Sequence, residues 1–298
     1  MNIAVFASPT SWHYRDLLRA AGAAHQLTPV AYEQLMATVG SAGAELRSGD
    51  ALLNGFDAAL VRSMPPAALE PIIFRMNALA RLEAAGVPVI NPPRAVEAAI
   101  DKYLTTALLA GAGLLVPRTF ACQTVDDALA AFDRLGGDAV VKPVYGAEGR
   151  GLVRLTDRVL AVRAFTSLAR FGSLIYLQQF VPHAGRDFRL LVVGDEVWGM
   201  QRTNHDDWRS NISCGGTGGP LDVTPELASA ARRAAAAVGA SVAGVDLLPG
   251  EDGQLYALEV NASPGWRALS AVAQVDVAAC VLNHVADYVE ERTAIRGD

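Results

Sequence analysis

Along the first ninety residues, short apolar runs alternate with longer amphipathic ones: MNIAVFA, WHYRDLLRAAGA, FDAALVRS, EPIIFRMNALARLEAAG and VPVINP. Short apolar runs bounded by turn residues read as buried strands. Longer stretches with apolar residues three and four apart read as helices. Their alternation predicts a small open parallel α/β domain. Such a domain often holds a dinucleotide, but the turn after the first strand, ASPTSWHY, has no GxGxxG to bring backbone close to a pyrophosphate. Nicotinamide binding is therefore not expected.

A Pro-rich joint near Asn91 to Arg94 opens the next unit, NPPRAVEAAIDKYLTTALLAGAGLLVPRTF, which reads as one periodic helix, a glycine-containing stop and a new strand. From Thr119 the pattern is strand, helix (VDDALAAFDRLG), strand (DAVVKPV), glycine-rich loop (YGAEGRG), strand (LVRL) and helix, a small α+β lobe. After Leu174 come IYLQQFV, a hairpin, a second glycine-rich loop, the helix ELASAARRAAAAVGA, the strands VAGVDLLP and LYALEVNA, and a closing helix. The expected units are 1–94, 95–173 and 174–298.

Composition narrows the function class. Lys and Arg number 25 against 31 Asp and Glu, a net charge of −6, so no overall positive field exists to hold nucleic acid or an anionic membrane. Anionic ligands must meet local cation clusters. Every apolar run is interrupted before the ~20 residues of a membrane span, and the N-terminus lacks the basic start of a secretory signal. Cys122, Cys214 and Cys280 show no CxxC spacing, which predicts neither a disulfide framework nor a zinc knot. A soluble cytoplasmic protein is expected.

Lys142 ends an apolar strand and is followed by Gly146, Gly149 and Gly151. A lysine beside glycines suits a phosphate clamp, because glycine lets backbone N–H groups approach phosphate oxygens. A plain glycine-rich hairpin would show the same residues, and GxxxxGK[ST] is absent. In IYLQQFV, Gln178, Gln179, Phe180 and Val181 could line an adenine pocket or simply complete a buried strand. DFRLLVVGDEVWGMQR reads as a hairpin turning at Gly194-Asp195, which faces Asp187 with Arg202 and puts Arg189 on the same side. That arrangement suits either a cross-strand salt bridge or a carboxylate or phosphate contact. Arg209 and Asn211 precede the second glycine-rich stretch, where an arginine could steady a phosphoryl group or merely face solvent. Asp246 lies inside an apolar strand, where a bare carboxylate is costly. Glu259 and Asn261, two apart on a strand, point to one face. These oxygen donors are the hard ligands that magnesium prefers.

The segments DKYLT, VVKPVYGAEGRG, QQFV, DFRLLVVGDEV, WRSN, GVDLL and EVNASPGW, in this order over about Asp101 to Ala271, resemble the RimK-like group of the ATP-grasp superfamily. The resemblance implies two α+β lobes clamping ATP behind a small α/β domain, and an ATP-dependent carboxylate–amine ligase that works through an acyl phosphate. It implies that Lys102 and Lys142 contact phosphates, that the loop from Gly146 to Gly151 closes over them, and that Gln179, Phe180 and Val181 hold adenine. Asp187 would fix the ribose. Asp246, Glu259 and Asn261 would hold two Mg2+ ions, with Mn2+ able to substitute. Arg209, Asn211 and Arg202 would act in catalysis, and Arg189 and Ser263 on substrate. PGW and DDWRSN look most like ligases that add L-glutamate to a tetrahydromethanopterin-like coenzyme. A protein C-terminus or an amino-group carrier protein as acceptor, and an inactive ATP-binding regulator, are the alternatives. Assembly as a homo-oligomer is left open.

Overall fold

The computed structural model describes residues 1–41, 43–146 and 150–296. The chain opens with β1 (Asn2–Phe6), α1 (Trp12–Ala21) and β2 (Gln26–Val30). An antiparallel unit follows, of β3 (Leu35–Gly40), β4 (Gly43–Ser48) and β5 (Ala51–Leu52); then come β6 (Ala58–Val61), α2 (Leu69–Ala84) and β7 (Val89–Ile90). Strands β2-β1-β6-β7 form a parallel sheet in that order, the open α/β domain that the sequence rhythm predicts. Its central strands β1 and β6 are buried at almost every position, which is why they read as unbroken apolar runs. Pro29 is tolerated because β2 lies at the sheet edge.

The single helix expected after the joint is two helices, α3 (Pro93–Ile100) and α4 (Lys102–Gly111). Asp101 breaks them with extended backbone and caps α4 by accepting from the Leu104 N–H at 3.0 Å. This cap puts Lys102 in the first turn of α4, at the edge of the cleft.

The small lobe comprises β8 (Thr119–Cys122), α5 (Val125–Arg134), β9 (Ala139–Lys142), β10 (Val153–Leu155), α6 (Arg158–Arg170) and β11 (Ile175–Gln179). Its antiparallel sheet runs β10-β9-β11-β8, with its own core around Phe132, Phe165, Leu155 and Leu177. Strand β11 therefore belongs with the small lobe, past the boundary at 173 expected from the sequence, because it pairs with both β8 and β9. Helices α3 and α4 go the other way: Ala95, Val96, Ala98 and Leu109 pack into the core of the large lobe.

The large lobe holds β12 (Arg186–Val193), β13 (Glu196–Thr203), β14 (Thr217–Pro220), α7 (Pro225–Val238), β15 (Val242–Pro249), β16 (Leu255–Asn261), α8 (Arg267–Ala273) and α9 (Val277–Arg296). Its sheet runs β14-β13-β12-β15-β16, antiparallel throughout. The stretch expected as a glycine-rich loop after Cys214 is partly a strand, since Thr217 to Pro220 pairs along β13. Two apolar clusters run from the N-terminal sheet into this lobe, one around Phe6, Leu79 and Val245, the other around Leu17, Trp266 and Val281. The N-terminal domain and large lobe thus share cores, and the small lobe keeps a separate one. Among the described residues, no single helix is long and apolar enough to cross a membrane.

Candidate active site

Between the small-lobe sheet and the five-stranded sheet lies a solvent-open cleft of about 530 Å³. A second cavity of about 480 Å³ adjoins it, and the two share Lys142, Leu152, Asp187, Asn211 and Leu258. The first is apolar on both sides: Val140 and Leu152 from the small lobe face Leu248 and Leu258 from the large one. Polar side chains concentrate in the second, which Lys102, Lys142, Asp246 and Glu259 line.

Lys142 sits at the end of β9 and donates to Gln178 Oε1 at 2.6 Å; Gln178 Nε2 in turn donates to Thr119 Oγ1 at 2.9 Å. Burial lowers the Lys142 pKa to about 8, and the nearby Lys102 charge adds to this, while Glu259 and Asp246 oppose it. An ammonium held at such a cost gains from an anionic ligand. Lys102 Nζ donates to Gly146 O and lies 3.9 Å from Glu259 Oε1. Gly151 has φ +73°, and a Cβ there would meet Pro143 Cγ at 2.8 Å, so the returning strand lies tight against the Lys142 turn. Gly149 lies outside the described residues.

Across one face of the large sheet, the register lines up charged side chains. Asp187 opposes Arg202, Arg189 opposes Asp246, and Asp246 opposes Glu259. Arg202 holds Asp187 through two bonds of 2.7 and 2.6 Å and reaches Asp246 Oδ2 at 3.0 Å; Arg189 donates to Asp246 Oδ1 at 2.7 Å. Burial acts to raise the Asp246 pKa, but the two guanidinium groups outweigh it and hold the carboxylate below its ordinary range. Two expectations change here. Asp246 is not a bare carboxylate, since two arginines satisfy it. Arg189 and Arg202 do not reach toward a ligand, because both guanidinium groups are committed to Asp246 and Asp187 and are almost wholly buried. Asp187 lines the cleft with its carboxylate already engaged.

Strand β16 carries a bulge opposite Asp246 and Leu247. A bulge turns consecutive side chains to one side, and Leu258 and Glu259 both line the cleft. Asn261 lies two residues beyond Glu259, and its Oδ1 accepts from the Ser263 N–H at 2.8 Å. Asp246, Glu259 and Asn261 therefore bring oxygen donors of the kind Mg2+ takes alongside phosphates and water to adjacent positions of one sheet, with the Asp246 oxygens shared with two arginines and the Asn261 oxygen with the Ser263 N–H. Among the described residues, no group of three His, Cys, Asp or Glu side chains forms a metal cage without such help.

At the end of β11, the Gln179 N–H donates to Arg118 O at 2.8 Å and the Phe180 N–H to Asp138 O at 3.4 Å. Those donors are not available to an adenine edge, which leaves Val181 at the hinge as the backbone candidate. Phe180 has the Arg154 guanidinium 3.4 Å from its ring centroid and the Trp208 ring edge-on at 5.9 Å. His183 bridges Val181 O and Trp208 O, 2.8 Å from each. Asn204 organises the loop that follows: its Nδ2 donates to Arg209 O and Cys214 O, and its Oδ1 accepts from the Asp206 and Asp207 N–H groups. Arg209 and Asn211 both line the first cavity, but Arg209 is paired with Asp207 at 2.6 Å rather than free.

The RimK-like ATP-grasp domain matches this chain over residues 99–285, well over half its length. The chain belongs to that family. Among its RimK-like relatives, the tetrahydromethanopterin:alpha-L-glutamate ligase of Methanosarcina acetivorans is 36% identical over 221 residues, covering 70% of this chain and 68% of that one. A probable alpha-L-glutamate ligase of Xanthomonas euvesicatoria is 35% identical over 78% of this chain and 79% of its own. The ATP-grasp fold itself recurs in a RimK domain protein of Sphaerobacter thermophilus, with TM-score 0.74 and 24% identity over 95% and 99% of the two chains. The ATP-grasp ligase PsnB, solved with a minimal precursor, gives TM-score 0.75 at 24% identity over 97% and 98%.

The RimK-like site holds several residues that the sequence did not single out. Leu258 enters through a bulge, which strand periodicity cannot signal. His183 and Asn204 act through backbone groups of the loop around them, contacts that appear only once that loop is folded. Trp208 could have been found, as the aromatic residue that opens the WRSN segment.

Proposed function

We propose that this chain adds L-glutamate to a carboxylate of a coenzyme-like acceptor. Its family makes it an ATP-dependent carbon–nitrogen ligase, so the proposal concerns the substrates and the part each residue plays. The likeness to tetrahydromethanopterin:alpha-L-glutamate ligases, 35–36% identical over about two thirds of both chains, carries the reading.

Adenine fits between Val140 and Leu152 on one side and Leu248 and Leu258 on the other, with Gln178 to Val181 along its edge. Lys102 and Lys142 take the phosphate charge, with Gly146 beside them. Asp246, Glu259 and Asn261 would hold two Mg2+ ions, or Mn2+ in their place, which would supply Lewis-acid stabilisation of the γ-phosphate. A substrate carboxylate attacks that phosphorus, the bond to the β–γ bridging oxygen breaks, and ADP leaves an acyl phosphate behind. The amino acid's amine then attacks the acyl carbon, and phosphate leaves. Arg209 exchanges Asp207 for the transferring phosphoryl group, with Asn211 beside it, as a charge-stabilising arginine on a loop can do. Arg189 and Arg202 fix Asp246 and Asp187 in place, and Ser263 steadies the turn beside Asn261. Two α+β surfaces closing on ATP exclude the water that would hydrolyse the acyl phosphate. We place the reaction in a reducing cytoplasm, in keeping with three scattered cysteines that show no CxxC spacing.

The test is phosphate release from ATP and Mg2+ with a panel of amino acids and acceptors, including tetrahydromethanopterin and a protein C-terminal peptide, followed by product mass spectrometry. Glutamate-dependent release with a mass gain on the coenzyme supports the reading. A mass gain on the peptide alone moves the acceptor to protein, and ATP binding without turnover on any pair favours a regulator.

A further inference from the structure

Arg62 is a buried cation that the site described so far does not use. It follows β6 at the carboxyl end of the parallel sheet, the side on which open α/β sheets receive ligands. Its relative exposure is 7%, and its Nε is buried with no hydrogen-bond partner. One Nη donates to Pro264 O, and the guanidinium carbon lies 4.2 Å from the Trp266 ring centroid. Among the described residues, the other deeply buried arginines each have a carboxylate: Arg202 and Arg189 share Asp246, and Arg75 faces Glu33. Arg62 has none. A carbonyl and an aromatic face compensate a buried charge only in part.

The surroundings are positive as well. His13 Nε2 accepts the Trp266 N–H at 3.3 Å, which requires the neutral ring. Burial and the charges of Arg62 and Arg267 push its pKa down to about 4, against the opposing pull of Asp16. Asp16 is itself taken by the indole N–H of Trp266 at 3.0 Å and by Arg19. Arg267 is exposed at the rim, 5.6 Å above the Trp12 ring.

The position connects to the reacting centre. Ser263, whose N–H is bound by Asn261, also donates to Val61 O at 3.3 Å, the residue before Arg62. Pro264, whose carbonyl accepts from Arg62, also packs close to Gly244 beside the Arg189 guanidinium. Arg62 thus directly follows the residue that the turn after Asn261 hydrogen-bonds.

We propose that Arg62, with Arg267 at the rim, binds a non-reacting carboxylate of one of the two substrates beside the acyl-transfer centre. The inference rests on the ligase reading, in which both substrates carry carboxylates and only one of these is phosphorylated. The carboxylate could come from the amino acid or from the acceptor, and kinetics separates them.

The experiment compares full-length wild type with Arg62→Lys, which keeps the charge but loses the bidentate fork. Loss of a charge-assisted hydrogen bond predicts a KM raised roughly 10- to 100-fold for the substrate that owns the carboxylate. The KM for ATP stays within about twofold, and the variant no longer prefers that substrate over its carboxamide. A raised KM for L-glutamate assigns the amino acid, and a raised KM for the acceptor assigns the acceptor. Unchanged KM values in folded Arg62→Lys overturn the site and leave the ligase reading standing. Calorimetric titration of glutarate into wild type and Arg267→Gln gives a second readout that does not depend on turnover or on the folding of Arg62→Lys. Weaker binding in Arg267→Gln supports the site even if no substrate pair turns over, and equal binding overturns it.

Discussion

Replacing Lys142 with methionine is expected to make the free protein slightly more stable while weakening its hold on ATP. Burial is the main cause of the fall in the Lys142 pKa from 10.5 to about 8. At 1.36 kcal/mol per pH unit this corresponds to about 3 kcal/mol for keeping the ammonium charged at pH 7. The side chain is only partly buried, and the variant also loses the bond to Gln178 Oε1. Each correction removes about 1 kcal/mol, leaving a net gain of roughly 1 kcal/mol, or about 2 °C in melting temperature. The sign with pH follows from the lowered value. Between pH 8 and 10.5 the unfolded chain binds more protons than the folded one, so wild-type stability rises across that window. The penalty is fully present below pH 8, and the advantage of the variant should vanish by about pH 10. Urea unfolding at pH 7 and pH 10 measures the first effect. Calorimetry with ATP measures the second, where loss of a charged phosphate contact predicts about 10- to 100-fold weaker binding. A variant less stable than wild type at both pH values would refute the burial argument, and unchanged ATP affinity would refute the phosphate contact.

Glu259→Ala removes an oxygen donor from a half-buried position, so magnesium-dependent phosphate release should fall by about a thousandfold or more with little change in melting temperature; full activity would remove the metal assignment. Asn91 is buried and donates to Val242 O and Ala262 O while accepting from the Ser241 and Val242 N–H groups. Asn91→Ala should cost roughly 3–5 kcal/mol in urea unfolding, because it breaks the bonds joining the N-terminal sheet to the large lobe. Asp246→Asn leaves Arg189 and Arg202 short of a buried counter-charge and should cost about 3–5 kcal/mol, whereas a double change with Arg189→Met should recover part of it; additive losses would show that the pair is uncoupled.

Much of this molecule is legible from local pattern. The Gly194-Asp195 turn fixed the register of β12 and β13, so the facing of Asp187 with Arg202 follows from counting residues. The parallel domain shows in its unbroken apolar strands, and the cleft lysine Lys142 in the glycines that follow it. What was not legible depends on distant partners or on breaks in periodicity. No local signal says that β15 lies beside β12, so the clasp of Asp246 by two arginines is invisible before folding. The strands from Leu35 to Leu52 alternate weakly, and β3 is exposed at most positions, which leaves little apolar pattern to read. The break at Asp101 was readable as a cap before an apolar run, but helical periodicity on both sides masked it. Arg62 is a lone charge after an apolar strand, and its lack of a carboxylate emerges only in three dimensions.

The account turns on a carboxylate that attacks the γ-phosphorus of ATP. The most direct measurement uses the accepted acceptor with its carboxylate oxygens labelled with 18O, and reads the phosphate released during glutamate addition by mass spectrometry. Transfer of one labelled oxygen to each phosphate is the predicted result, because the acyl phosphate breaks at the acyl carbon. Unlabelled phosphate accompanying amide formation would contradict the acyl phosphate route and the roles given to the residues around it.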